Sequence, residues 1–273
     1  MSATATKVRR DDRVPLFRIP DVQLRSAWRL WQRNGSIYRR TYKLNIVPNF
    51  FEPVLYLVAM GIGLGAYLDR IEGVEYIDYI APGLVATAAM FGTSFEVTFN
   101  CFVKMKFDKV YDAAMATPLT IEDIALGELL WGTTRSLIYG VAFLVVASLF
   151  GVVHSPWALL APFAVFLIGM MFSVVGLTFT ALIPVIDYFT YYWTLFMTPM
   201  FLFSGIFFPL DRLPDWVQVV AWFMPLHHAV NLMRALTLDG DPRAAILAAA
   251  WIVGLTAIMF VLPLNLLRRR LVH

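Results

Sequence analysis

The chain has 273 residues, 59% of them hydrophobic and 15% charged, with a formal net charge of +3 and a mean hydropathy of +0.68. A water-soluble domain carries about 25% charged and about 45–50% apolar residues, so the apolar excess here must face lipid, which excludes a soluble globular class. The single cysteine, Cys101, excludes an internal disulfide and any CxxC metal site.

The charges are segregated. Residues 1–43 hold eleven Lys/Arg against three Asp, and the tail adds Arg268, Arg269 and Arg270. Residues 1–20 are expected to be a basic cytosolic tail. No apolar h-region occurs in the first 40 residues, so no cleavable signal is expected. In 21–43, Leu24, Trp28 and Trp31 fall on one helical face and Arg25, Arg29 and Arg33 on another. This pattern predicts an amphipathic helix lying on the inner leaflet, its basic groups toward anionic headgroups.

The membrane domain is expected over 44–273. A span needs about 20 apolar residues, and six stretches qualify: 45–68, 79–103, 131–153, 157–184, 188–208 and 244–267. The expected fold class is therefore all-α and integral to the membrane, with six transmembrane helices. Basic groups at both ends place both termini in the cytosol by the positive-inside rule, which an even span count satisfies. The first outer loop, YLDRIEGVEYIDY, holds four acids and one arginine.

The loop 104–128 is too polar to cross. Phe107, Val110, Tyr111 and Ala114 are spaced as one helical face, and Pro118 stops that helix. Thr120 opens T-I-E-D, a cap signal for the next helix. Three charges fall inside spans: Glu52, Glu96 and Arg135. Counted at 1.5 Å per residue, each sits roughly 10–14 Å in from the cytosolic side. Charges so placed are costly and usually paired, so Arg135 is expected to pair with Glu52, Glu96 or both.

The aromatic run that begins the fifth stretch, with Tyr188, Tyr191, Tyr192 and Trp193, suits core packing and also a surface for sugar rings or headgroups. Beyond it, Ser204 and Gly205 precede a segment broken by Pro209, Pro214 and Pro225. Its apolar core, VQVVAWFM, is too short to span. Two short helices are expected over 204–241, dipping into the outer leaflet as a re-entrant hairpin, with Trp216 and Trp222 at headgroup level. His227 and His228 are neighbours with no Asp, Glu or Cys cluster around them in sequence. Adjacent helical positions point about 100° apart, so no metal site is expected.

The chain resembles the permease subunit of type-2 ABC exporters, in the nodulation-J-like branch of lipooligosaccharide permeases. The resemblance lies in NFFEPVLYLVAMGIGLGAYL, in APGLVATAAMFGTSFEVTFNCFVKMKFDKVYDAAMATPLTIEDIALGELLWG, in DYFTYYWTLFM and in TPMFLFSGIFFPLDRLPDWVQVVAWFMPLHHAVNLMRAL. It implies a bacterial inner-membrane homodimer working with a separate ATP-binding subunit. No GxxxxGK[ST] occurs in this chain, so it would carry no cofactor itself, and ATP and Mg would reside in that partner. The stretch containing Phe107, Lys109, Tyr111, Asp112, Ala116, Thr117 and Pro118 would be the coupling helix seated in the ATPase. Ser204 through Arg234 would be the external re-entrant element. The cargo would be a lipid-linked oligosaccharide or similar amphiphile, and no nucleic acid is expected as a partner.

Two other classes stay open on sequence grounds. One is an ion-coupled transporter using Glu52 and Glu96 as proton sites. The other is a membrane-embedded glycolipid enzyme using His227, His228 or Arg234 with Asp239 or Asp241.

Overall fold

A computed structural model of the chain describes residues 22–271 apart from 69 and 72, and the backbone alone at 44–49. The expected basic tail 1–20 lies outside the described residues. Within them, the one extended pairing is an isolated bridge between Ile71 and Val74, and every named element is helical.

Helix α1 is Leu24–Tyr56, prolonged by π-helical turns over Leu57–Leu64. Helix α2 is Tyr76–Lys106, π-helical at Glu96–Asn100. The short α3 is Val110–Met115 and the long α4 is Ile121–Leu149. Helix α5 is Pro156–Leu182. A broken stretch comes next, made of Ile186–Tyr188, Phe189–Tyr191, Tyr192–Met197 and Thr198–Phe203 in alternating 3-10, α and π geometry. Two short helices, α6 (Asp215–Trp222) and α7 (Pro225–Arg234), lead to α8 (Pro242–Leu271).

Among the described residues, four helices are long and apolar enough to cross a membrane: α2, α4, α5 and α8. The first expected span is represented by a shorter apolar helix, Phe50–Leu64. The fifth is the broken stretch, which still runs antiparallel beside α2. Phe189 meets Phe102 at one end (ring centroids 5.7 Å apart). At the other end the Gly205 carbonyl accepts from the Tyr79 hydroxyl at 3.3 Å.

The helix ends obey local chemistry. Thr120 Oγ1 accepts from the Asp123 N–H (3.2 Å), and Asp123 Oδ2 accepts from the Thr120 N–H (3.1 Å). This is the reciprocal capping box expected from T-I-E-D. Ser155 and Asp241 cap α5 and α8, each with proline at the first helical position.

Helix α4 is the hub, packed on α1, α2, α5 and α8. It approaches its neighbours closely at Gly132, where a Cβ would lie 2.5 Å from Val97 and 2.6 Å from Ser173. Small residues let helix backbones meet in lipid, where apolar burial gives no drive to associate. Two buried clusters result. One gathers Cys101, Phe102, Tyr111, Ile124 and Leu267 at one end of the bundle. The other gathers Tyr79, Ile80, Ile206, Leu226 and Val230 at the opposite end of α2.

No break in the helix falls at residue 43/44. The segment 24–43 continues through residues 44–56 as a single helix, and it packs lengthwise on α4. The Gln23 N–H donates to Asp123 Oδ1 (2.7 Å), and Trp31 Nε1 donates to Thr134 Oγ1 (2.8 Å). Its buried face is Ala27, Leu30 and Asn34, whereas Leu24 and Trp28 are exposed. Leu24 and Trp28 of the expected apolar face thus point away from α4, and Trp31 sits at the edge of the contact. Trp31 is half-buried and stacks on Trp28 with ring centroids 4.2 Å apart.

Candidate functional site

A chain of charges runs through the bundle near the Tyr111 end. Glu96 and Lys104 lie on α2, and Glu128 and Arg135 on α4. Lys104 Nζ is 3.0 Å from Glu96 and 2.9 Å from Glu128. Arg135 Nε is 3.6 Å from the other Glu96 oxygen, which also accepts from Asn100 Nδ2 at 2.7 Å. The Glu128 side chain is fully buried, and the Cys101 thiol donates to it at 3.4 Å. The Arg135 guanidinium lies over the Tyr38 ring, 4.6 Å from its centroid. Alternating signs in a dry site offset the desolvation of each group.

Of the charges singled out from sequence, Arg135 and Glu96 come together. Glu52 is exposed and forms no ion pair with Arg135 among the described residues, although both line one cavity. Lys104 and Glu128 complete the set and were missed. The signal was present: Glu96, Asn100 and Lys104 repeat every four residues, and Glu128 lies seven before Arg135, which puts each group on one helical face.

The loop beyond α2 is arranged differently from the single face expected. The helix breaks at Phe107, and Lys109 takes a left-handed conformation (φ 50°) that turns the chain into α3. Phe107 is 65% exposed whereas Tyr111 is 1% exposed. Lys109, Asp112, Ala116, Thr117 and Pro118 are exposed as well. Burial pushes the Tyr111 phenol well above its ordinary pKa, so it stays neutral. Tyr111 therefore anchors the loop from beneath, while its neighbours form the outer surface.

The aromatic set also divides. Tyr188 and Tyr191 are exposed, but Tyr192 is buried with its hydroxyl 3.3 Å from Ser94 Oγ. Trp193 is half-buried, stacked on Phe91 at 5.8 Å. It lines a cavity of about 200 Å3 together with Glu52, Phe91, Arg135 and Tyr139.

At the far end, Gly205 adopts φ 80°, which suits glycine. Its carbonyl accepts from Arg234 Nη2 at 3.0 Å, and the guanidinium sits 4.2 Å over the Tyr79 ring. Ser204 is buried and donates to the Met200 carbonyl. Pro209 and Pro225 are buried, while Pro214 and Trp216 are exposed. The segment is thus two short helices with α7 buried against α2 and α8. His228 Nε2 donates to the Trp222 carbonyl (2.7 Å) and its ring stacks on Trp251 (4.0 Å). Asn231 Nδ2 donates to His227 Nε2 (3.0 Å). Neither His227 nor His228 pairs with a carboxylate, and no cluster suited to a metal occurs, among the described residues.

Burial, with the neighbouring His228, pushes His227 down to about 4; burial also lowers His228. Both sit below the ordinary value of 6.5, so the unfolded chain binds more protons. Stability contributed by the neutral rings is fully present above that value and falls as pH drops toward 4. Thermal unfolding between about pH 7 and about pH 4.5 should show this loss, with a shallower slope for His227→Gln. An unchanged slope in that variant would remove His227 as a cause of the loss.

The family model described as ABC-2 type transporter matches residues 25–238. The chain is 36% identical over 242 residues to a nodulation protein J of Sinorhizobium fredii, covering 89% of this chain and 92% of the relative. It is 35% identical over 243 residues to nodulation protein J of Rhizobium meliloti, covering 89% and 92%. It is 24% identical over 208 residues to the Escherichia coli inner membrane transport permease YadH, covering 75% and 80%.

Proposed function

Because the chain belongs to the ABC-2 type transporter family, we propose that it is the membrane subunit of an ATP-driven exporter that moves a lipid-linked oligosaccharide or similar amphiphile out of the cytosol. The observation that carries this is the surface around α3. A short helix, pinned by buried Tyr111, displays Phe107, Asp112 and Ala116–Pro118 at the end of the bundle. An ATP-binding subunit docking there would take hold of α2 and α4 together. ATP and Mg would belong to that subunit, and a second copy of this chain would complete the pathway in the bacterial inner membrane.

Six crossings with both termini cytosolic belong to this proposal, and a shared end for α1, α4 and α8 supports an even number. The α4 start, the α1 start and the α8 end share one end of the bundle, through the Gln23–Asp123 bond and the Arg268–Glu122 ion pair. Residues 204–241 then lie on the outer side as a re-entrant element, with Trp216 and Trp222 at the headgroups. Proton coupling through Glu96 is disfavoured because two cations already pair with it.

The test is co-purification with a co-expressed ABC-type ATP-binding subunit, followed by reconstitution in liposomes. Stable association and ATP-dependent movement of a glycolipid are expected. No association, with transport that tracks a proton gradient, would sink the proposal.

A further inference from the structure

Of the three charges that the sequence places inside spans, Glu52 alone has neither an ion pair nor a hydrogen bond among the described residues. Counted from Lys43, it lies roughly 10–14 Å in from the cytosolic side. A charge at that depth is costly and usually paired. The Glu52 side chain is exposed, so its carboxylate is open to an incoming partner.

The cavity beside it defines that partner. It has a volume of about 200 Å3 and lies between α1, α2, α4 and the broken stretch, and among the described residues Glu52 is the one carboxylate on its wall. Tyr56, Phe91, Phe95, Tyr139 and Trp193 line it. Each is exposed or half-buried, so each ring offers surface to an occupant. The one cation on the wall, Arg135, is only 6% exposed. Its charge is met by Glu96 at 3.6 Å, and its guanidinium lies over the Tyr38 ring, which belongs to a different cavity. Lys104 and Arg135 together balance Glu96 and Glu128. The cavity therefore keeps one net negative charge, on Glu52.

A small organic monocation satisfies both features at once. Its charge offsets the carboxylate, and its alkyl groups sit against aromatic rings whose faces attract cations. An anion would meet Glu52 at low dielectric, and a neutral apolar group would leave the carboxylate bare. A hard metal ion would find one carboxylate and a set of rings where it takes six or more oxygens. We propose that this cavity binds a hydrophobic ammonium ion, with Glu52 as counter-ion and the Phe91 and Trp193 rings beside it. The occupant joins α1 to α2, α4 and the broken stretch. This site goes beyond the export reading and does not depend on it.

The test uses the full chain in dodecyl maltoside, a detergent with no charge and no ammonium group. The probe is radiolabelled benzyltrimethylammonium, and benzylsulfonate, similar in shape and opposite in charge, is the competitor. Equilibrium dialysis against protein-free micelles should show saturable binding that benzylsulfonate does not displace. Glu52→Gln should weaken binding by at least about tenfold, and Phe91→Leu by about fivefold. Both should unfold at the wild-type temperature. Asp211→Asn, which removes an exposed acid outside the cavity, should bind as wild type. Phosphatidylethanolamine added to the micelles separates two sources of the ammonium: displacement of the probe assigns the site to a lipid headgroup, and no displacement to a free amine. The absence of saturable binding, displacement by benzylsulfonate, or wild-type affinity in Glu52→Gln would overturn the site. So would loss of self-association in Glu52→Gln, which would give the carboxylate to a second copy of the chain.

Discussion

Lys104→Met is expected to be the most damaging single substitution in the transmembrane bundle, lowering stability by about 3–5 kcal/mol, the usual cost of breaking a buried ion pair by removing one partner. Its ammonium is the one cation paired with Glu128 among the described residues, and the Glu128 side chain is fully buried with its Oε1 lacking a hydrogen-bond partner. Glu96 would keep Arg135 and Asn100, so the loss falls mainly on Glu128. The double variant Lys104→Met/Glu128→Gln should therefore recover roughly half of that stability, because a neutral amide is far cheaper to bury than a lone carboxylate. Thermal unfolding of purified protein in detergent measures both. If Lys104→Met unfolds with the wild type, the charge chain is not a stabilising element.

The second expectation separates the surface of the loop from its anchor. Phe107→Ala/Asp112→Arg should leave the unfolding temperature unchanged and weaken ATPase binding by about 30-fold, the order expected for losing an interface hot spot. Both side chains are exposed, and Phe107 touches the core only at the edge, its ring 6.3 Å from that of Phe102. Tyr111→Ala should do the reverse, costing about 3–5 kcal/mol of stability through loss of a buried aromatic ring. Tyr111→Phe should cost far less, about 1 kcal/mol, since it keeps the ring and removes only the hydroxyl that faces Cys101 and Glu128. Unfolding curves read the anchor, and titration of the ATPase onto permease in nanodiscs reads the surface. Full ATPase affinity in Phe107→Ala/Asp112→Arg would remove α3 as the docking element. A Tyr111→Phe as unstable as Tyr111→Ala would show that the hydroxyl, and not the ring, is the anchor.

The features legible in the sequence were those with local causes. The Thr120 capping box depends on residues three apart, and the two short helices after Gly205 are punctuated by their own prolines. What stayed hidden depends on neighbours distant in sequence. The buried face of α1 is set by α4 and not by tryptophan placement: Ala27 fits against Gly127, where a Cβ would lie 3.0 Å from the Ala27 carbonyl. Hydrophobicity marks Leu24, Trp28 and Trp31 as an apolar face, but which face meets α4 depends on shape. Tyr192 resembles its exposed neighbours Tyr188 and Tyr191 until Ser94 is brought opposite it. The fifth expected span has the right composition, but alternating α and π turns break its regularity, and apolar content does not encode that.

Asp123 has a consequence of a mechanical kind. One of its oxygens holds the Thr120 N–H at the start of α4, and the other holds the Gln23 N–H just before α1. The carboxylate is fully buried, so no water competes for either bond. It acts as a rivet through two rods: at this end α1 and α4 cannot slip past each other without rupturing a charge-assisted bond in a dry setting. A push delivered to the loop between α2 and α4 would swing both rods together about that rivet. Any slack must then be taken up at the opposite tip of α1, where its hydrogen-bond ladder has already widened into the π turns of Leu57–Leu64.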